Sequence, residues 1–403
     1  MRLVYVARAY WPAIGGVEGF VRLLGRELSR RHEVTVLAQR VDRGEESNRL
    51  TDTLDPPPRF SPFADGDVQV AQIRVPLARR ALLSPLVYQV TPGLRRHAFG
   101  RSRIVAAELY ARLAAPVIAE RLRGADAVHV FGGDLIKAAA IRAARMARVP
   151  VAITPFVHPH QWGDDAASSR VYRGADRVIA LLEADAVVCR GLGVPPDRIA
   201  ICGVCSPALP GGGEAAIRER FAVAGPIILF LGARRGYKGE DVVLRAAPSV
   251  SRVHPDATFV FVGPGPALPP SAGDARVIDA GVVDEDERAA WLDAASLVCL
   301  PSEAEIFPTV FLEAWSLKTP VVTSDLPPVR ELIESAGGGL AVPRDPERVG
   351  RAIRELLDDP EASARMGEAG YVFWKQGYTP AAVARWHEDL YAGLAARVRG
   401  GAR

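Results

Sequence analysis

The stretch Pro301-Ser302-Glu303-Ala304-Glu305-Ile306-Phe307-Pro308-Thr309-Val310-Phe311-Leu312-Glu313-Ala314-Trp315, with Pro320-Val321-Val322-Thr323 soon after it, decides how this chain is read. A short apolar strand, Ser296 to Leu300, runs into a loop carrying Glu305; a helix then starts at Pro308 and holds Glu313. Proline suits a first helical turn because its missing N–H would be unpaired there anyway. The N–H groups of Thr309 and Val310 are then left to face an anion, and a helix start carries roughly half a positive charge. Glu313 lies four residues after Thr309, one turn deeper on the same face, where a carboxylate can accept the hydroxyls of a ribose. Glu305, just before the helix, would face a sugar beyond the diphosphate. The competing reading is an ordinary amphipathic helix with solvated glutamates.

Working outward, 403 residues point to two domains, since a domain takes about 100 to 200. A hydrophobic content of 49% and the absence of a long uninterrupted apolar run indicate a globular chain with ample core and no spanning helix. Met1-Arg2-Leu3-Val4-Tyr5-Val6-Ala7 reads as a first buried strand and not as a signal peptide. The net charge of +3 argues against nucleic acid as the main partner. Arginine dominates the cations, and only Lys137, Lys238, Lys318 and Lys375 are lysines. A lysine kept against that bias hints at a need for a compact ammonium, which draws attention to Lys238. Four cysteines fit a reducing cytoplasm; Cys202-Gly203-Val204-Cys205 has the spacing of a metal or redox half-site but lacks a second pair.

Strands are expected at Arg2 to Ala7, Glu33 to Ala38, Val68 to Val75, Ala127 to Phe131, Val149 to Thr154, Arg177 to Leu181 and Arg198 to Cys202. Helical patterns at Val17 to Arg31, Ile104 to Arg123, Leu135 to Ala147 and Glu183 to Gly191 alternate with them. Such alternation means a parallel sheet covered by helices, a Rossmann-like domain. Residues 42–67, charged and proline-rich, read as an exposed loop. After Pro207, Pro210 and Gly211-Gly212-Gly213 the alternation restarts. Strands are expected from Pro226, Ala257, Arg276, Ser296 and Pro320, with helices from Gly239, Asp284, Pro308, Pro327 and Pro346. The domains are drawn as 1–206 and 214–376, with 377–403 a terminal helical segment whose helix spans Ala381 to Val398.

The other candidate motifs sit on loops that follow strands, where ligands of such sheets bind. Gly15-Gly16-Val17-Glu18 follows the first strand, with Arg8 upstream, and opens a helix; paired glycines allow close approach of backbone to a ligand, though a simple turn needs them equally. The strand Ile227 to Leu231 ends in Gly232-Ala233-Arg234-Arg235-Gly236-Tyr237-Lys238-Gly239, a cluster of cations suited to a diphosphate or else a solvated basic turn. His158 follows the strand ending at Thr154 and so falls at the ligand edge, whereas His129, within a strand, reads as core. Asp65-Gly66-Asp67 and Asp284-Glu285-Asp286 have the Asp-x-Asp form used to hold a metal, but neither follows a strand suitably and both read as structural.

Glu305 and Glu313, seven residues between them at a strand-loop-helix junction, resemble the signature of family 4 of the retaining GT-B glycosyltransferases (glycosyl transferases group 1). That family's usual form is Glu-Gly-Phe-Gly; here Phe307 keeps the aromatic while Ile306 and Pro308 replace the glycines. The resemblance extends through Gly15-Gly16, Lys238-Gly239, Asp325-Leu326-Pro327-Pro328-Val329-Arg330-Glu331 and Gly338-Gly339-Leu340. It departs at Ala233, where the family carries an arginine, so Arg234 or Arg235 must replace it. The resemblance implies an α/β fold of the GT-B kind: two Rossmann-like domains facing a central cleft, with the C-terminal helix crossing back to the first domain.

The resemblance also implies roles. Gly15, Gly16, Arg234, Arg235, Lys238, Phe307, Thr309, Val310 and Glu313 would bind the donor; Lys238, Glu305 and His158 would serve catalysis; Arg8, Asp134 and His158 would meet the acceptor. The implied reaction moves a hexosyl or N-acetylhexosaminyl group from a UDP- or GDP-sugar to a hydroxyl with retention of configuration, and with no metal or other cofactor. A GT-B nucleotide-sugar 2-epimerase and a non-catalytic nucleotide-sugar-binding protein are the alternatives. The expected setting is cytoplasmic, with a small or soluble acceptor. The arginines between Arg74 and Arg123, Arg95 and Arg96 among them, leave docking on an anionic inner membrane face as the other reading.

Overall fold

The computed structural model describes residues 1–13, 15–41, 59–74, 99–132, 135–159 and 162–400. They fall into two compact units, Met1–Gly203 with Pro380–Arg403, and Val204–Thr379.

In the first unit the strands are β1 (Arg2–Ala9), β2 (Glu33–Arg40), β3 (Phe63–Asp65), β4 (Val68–Gln72), β5 (Ala127–Phe131), β6 (Val151–Thr154), β7 (Arg177–Ala180) and β8 (Ile199–Ile201). They make one sheet in the order β3-β4-β2-β1-β5-β6-β7-β8, parallel throughout except where β3 folds back on β4. Helices α1 (Gly16–Ser29), α2 (Phe99–Leu122), α3 (Leu135–Ala147), α4 (Ala166–Tyr172) and α5 (Glu183–Gly191) connect them. A parallel sheet covered on both faces needs strands apolar on both sides, and β5 and β6 are buried along their whole length. The strand order reverses between β1 and β5, so the loops at their carboxyl ends flank the natural ligand position of this fold.

The second unit repeats the plan. Its strands β9 (Ile227–Leu231), β10 (Thr258–Val262), β11 (Ser271–Ala272), β12 (Ala275–Gly281), β13 (Leu297–Leu300), β14 (Val321–Ser324) and β15 (Gly339–Val342) lie in the order β11-β12-β10-β9-β13-β14-β15. Only the short β11 runs antiparallel among the described strands. Helices α6 (Glu214–Phe221), α7 (Glu240–Ser251), α8 (Glu285–Ala294), α9 (Thr309–Ser316), α10 (Pro327–Ala336), α11 (Pro346–Asp358) and α12 (Pro360–Gly377) complete it. Here the reversal falls between β9 and β13, and the loops after those two strands carry Lys238 and Glu305.

The last helix, α13 (Pro380–Gly400), belongs to the first unit. Leu394 packs on Ala152 of β6 and Ile179 of β7, and Glu388 pairs with Arg31 and His32, each at 2.8 Å.

Several sequence expectations need correction. Residues 63–67 are not exposed loop but pair with the expected strand β4 as a hairpin, in which Asp65 is buried and receives Tyr10 Oη at 3.0 Å and Arg22 through two bonds of 2.8 and 3.0 Å. Residues 42–58 lie outside the described ones. Helices α4, α6 and α12 were not anticipated. Pro308 is the residue capping α9 and not its first helical residue.

Beneath α13 lies a polar cluster inside the core. His129 is fully buried, with Nδ1 2.6 Å from Tyr391 Oη and Nε2 2.8 Å from Thr154 Oγ1. The ring of His387 stacks beside it at 5.5 Å. His387 Nδ1 donates to the Val383 carbonyl at 2.8 Å, which fixes the tautomer and leaves Nε2 an acceptor with no hydrogen-bond partner among the described residues. Burial holds both imidazoles neutral: His387 is pushed down to about 4, and His129 lies well below its usual range through burial and the neighbouring His387. Below the unfolded value of about 6.5 the unfolded chain takes up protons that the folded chain refuses. Stability therefore falls as pH drops from about 6.5 towards 4, by up to about 1.4 kcal/mol per pH unit for each histidine. Urea midpoints measured at pH 7, 6 and 5 should decline, and His387→Phe should flatten part of that decline; a variant with the wild-type slope would show that His387 does not titrate on unfolding.

Candidate functional site

In the second unit the candidate residues converge at the β9/β13 reversal. Lys238 Nζ forms an ion pair with Glu305 Oε1, and Ser302 Oγ donates to the same carboxylate oxygen at 3.1 Å. The Lys238 side chain is 21% exposed and that of Glu305 9%, so the pair is partly desolvated. Among the described residues Glu305 is the only hydrogen-bond partner of Lys238 Nζ, so an ammonium with three donors keeps two for a ligand.

The backbone explains why a glycine follows the lysine. Gly239 has φ 88°, a left-handed conformation, and a Cβ there would come within 2.2 Å of the Pro301 carbonyl oxygen. That same carbonyl accepts Arg344 Nε at 3.1 Å, while Arg344 Nη2 reaches Gly236 O at 3.1 Å and Asp241 Oδ1 at 3.3 Å. Glu303 N donates to Tyr237 O at 2.6 Å. The loops after β9 and β13 are thus laced together along their backbones.

Helix α9 opens beside them. The ψ of Pro308 is 107°, outside the helix, and no side chain caps the helix start. The amides of its first turn therefore remain ready for an anion, as the sequence requires, with Thr309 as the first helical residue. The side chains of Phe307 and Val310 are largely buried, Phe307 lying 5.6 Å from the Tyr378 ring, so what they offer a ligand is backbone. One turn on, Glu313 Oε2 accepts from Arg288 Nη1. The Glu313 side chain is 16% exposed; burial raises its affinity for a proton, and the adjacent Arg288 works against that shift. Arg288 is held in turn by Glu285, through Nη2 at 2.8 Å and Nε at 3.2 Å.

Arg234 does not fill the place left by Ala233. Its side chain is 3% exposed and bidentate to Asp279, at 2.7 and 3.3 Å, and its backbone N–H bonds Pro264 O at 2.8 Å. It clasps the loops after β9 and β10 together, and an arginine fixed by a carboxylate this way is not available to a phosphate. Arg235 is exposed and is the remaining candidate of the two.

In the first unit the candidates lie on loops at the carboxyl ends of β1 and β6. Arg8 is near the end of β1, and Gly15 caps α1 with Gly16 its first residue. Neither glycine has a left-handed φ, and a Cβ at Gly16 would meet nothing within 4 Å. The fold of this unit does not itself require glycine at 16. His158 and Trp162 are bridged by two backbone bonds of 3.0 Å, their rings 3.8 Å apart. Phe156, two residues earlier, is held at φ 49°, a strained conformation for a residue with a side chain and one that clusters at functional sites. Asp134, Arg95 and Arg96 lie outside the described residues. The four cysteines are unbridged, and burial pushes the Cys202 thiol up to about 12. Among the described residues no helix is long and apolar enough to cross a membrane.

Sequence reasoning missed Arg288, Asp279 and Arg344. Each lies 25 to 45 residues from one of its partners, as Arg288 does from Glu313, Asp279 from Arg234 and Arg344 from Pro301. No local spacing signals such pairs.

Residues 15–204 match the glycosyl transferase 4-like domain, and residues 225–359 match glycosyl transferases group 1. The α-D-kanosaminyltransferase of Streptomyces kanamyceticus is 35% identical over 166 residues, 38% of this chain and 42% of that protein. The D-inositol 3-phosphate glycosyltransferase 1 of Catenulispora acidiphila is 30% identical over 219 residues, 48% of this chain and 52% of that protein. The chain thus spans about half or less of the length of these curated relatives. Anabaena Alr3699/HepE, solved in complex with UDP, superposes with a TM-score of 0.70 at 16% identity, covering 98% of this chain and 100% of that one. The sucrose-phosphate synthase of Thermosynechococcus elongatus gives 0.70 at 16% identity with the same coverage. At such identity the likeness speaks for the fold, which is GT-B; together with the two domain matches, which cover most of the sequence, it means that this chain belongs to the group 1, family 4 glycosyltransferases.

Proposed function

We propose that this protein transfers a hexosyl or N-acetylhexosaminyl group from a UDP- or GDP-sugar to an acceptor hydroxyl, with retention of configuration and without a divalent metal. The observation that carries the reading is the Lys238–Glu305 pair beside the uncapped start of α9. The bond from the anomeric carbon to the diphosphate oxygen breaks, the acceptor oxygen bonds to that carbon on the same face, and the acceptor proton passes to the departing phosphate. Negative charge grows on the diphosphate as it leaves. At an effective dielectric of about 20 a cation 4 Å away is worth about 4 kcal/mol to it, and Lys238 with the amides of Thr309 and Val310 supplies that field. Glu313 receives the ribose and Glu305 the sugar. Gly15 and Gly16 belong with the donor residues, and Arg8 and His158 meet an acceptor that is small or soluble. The names of the relatives, and the UDP bound by the Anabaena protein, agree with a nucleotide-sugar donor.

Three outcomes test this. Lys238→Ala should lower turnover about 100- to 1,000-fold, the usual loss when one donor to developing charge is removed, with melting behaviour retained; near-normal turnover would remove Lys238 from catalysis. Glu313→Ala should weaken calorimetric binding of free UDP or GDP, while Glu305→Ala should leave that affinity nearly unchanged and cut sugar transfer. The opposite pattern would exchange their roles. Turnover should persist in EDTA, and an activity lost there and restored by Mn²⁺ would contradict the metal-free mechanism.

A further inference from the structure

Glu313 stands differently from an ordinary surface carboxylate. Its Oε2 is taken by Arg288 Nη1, while Oε1 has no hydrogen-bond partner among the described residues. Arg288 is itself kept in place from its own helix, because Glu285, one turn back, grips the other edge of the guanidinium through Nη2 and Nε. Glu285 is 85% exposed at its side chain, whereas Arg288 and Glu313 are 21% and 16% exposed. The charges run from solvent inwards, ending on one open oxygen.

We propose that Arg288 is a positioning residue for nucleotide binding: it anchors Oε2 of Glu313 and so presents Oε1, ionised and fixed in direction, to the vicinal diol of a ribose. The inference rests on the reading of Glu313 as the ribose residue. Two effects require such a partner. A carboxylate this enclosed tends to hold its proton, and burial and the like charge of Glu285 both push Glu313 that way, with Arg288 opposing them. A protonated carboxyl loses the charge-assisted bonds that make a diol acceptor effective. A guanidinium is also planar and always charged, and it can bond two carboxylates along separate edges; a lysine supplies the charge without the fork.

The test is calorimetric titration of the full chain with UDP and with GDP between pH 6.5 and 8.5, for wild type, Arg288→Gln and Arg288→Lys. A parallel titration uses 2′,3′-dideoxyuridine diphosphate, which lacks the diol. With Arg288→Gln, affinity should drop by about tenfold or more at pH 6.5, the effect of losing one hydrogen bond to a charged group. The gap to wild type should narrow as pH rises and Glu313 ionises, and should vanish for the dideoxy probe. Arg288→Lys should abolish the extra pH dependence while restoring only part of the affinity, since it supplies the charge without the fork. A deficit that is constant with pH, or equal for the probe with and without hydroxyls, would overturn the inference and mark Arg288 as merely structural, as would wild-type affinity in Arg288→Gln. If wild type binds neither UDP nor GDP, or if Glu313→Ala binds them as wild type does, the ribose reading of Glu313 fails and the role of Arg288 fails with it.

Discussion

A single carbonyl oxygen, that of Pro301, sets how closely two loops of the second unit approach. On one side Gly239 lies against it so tightly that a methyl group would overlap it, and on the other Arg344 donates to it. Lys238 and Glu305 are 67 residues apart in sequence, yet they meet because these backbones are pinned to one another beside them. An ion pair between flexible side chains contributes little when exposed, since ordering both ends offsets the attraction. Here the order is supplied by main chain, so the pair forms with little further loss of freedom. The lysine is thereby aimed before any ligand arrives.

Three arginines of the second unit are committed to structure, and Lys238 is the cation left beside the helix start. Arg234, Arg288 and Arg344 each satisfy a carboxylate or a carbonyl through the planar fork that suits them to bridging. Lys238, a compact ammonium with donors to spare, is left beside the helix start. With Lys238 balanced by Glu305 and Arg288 by Glu313, the resting site holds little net charge. Under the proposed function its pull on a diphosphate would come from oriented amides and the spare lysine protons, a field of short range.

Most of the fold was legible because a covered parallel sheet writes itself as short apolar runs between periodic ones. Ala127–Phe131, Leu135–Ala147 and Glu183–Gly191 are found as read. The failures have identifiable causes. Helix α6 is half polar and follows a glycine run, and α12 opens directly after α11 with Pro360 at its first turn, so neither shows a distinct apolar period of its own. Phe63–Asp65 is too short for periodicity to register, and its buried Asp65 is explained only by Arg22 and Tyr10 from far along the chain. Of the candidate residues, Lys238, Glu305 and Glu313 are picked out in the sequence by their spacing to nearby structural marks, and the structure brings Lys238 and Glu305 together. The direction of Arg234 did not, because a neighbour 45 residues away decides it.

The first unit is not continuous in sequence: its sheet is covered in part by α13, which the chain reaches only after the whole of Val204–Thr379. On a ribosome adding about 5 to 20 residues per second, β5, β6 and β7 emerge on the order of ten seconds before the helix that seals His129 away from water. The second unit, uninterrupted, has all its strands in hand by then. Synthesis therefore runs opposite to the apparent order of the chain, the half that is translated first being the half that is finished last. In the interval the apolar surface around Ala152 and Ile179 lacks the helix that covers it, and the length of that interval is set by the second unit, which lies in the sequence between β7 and α13.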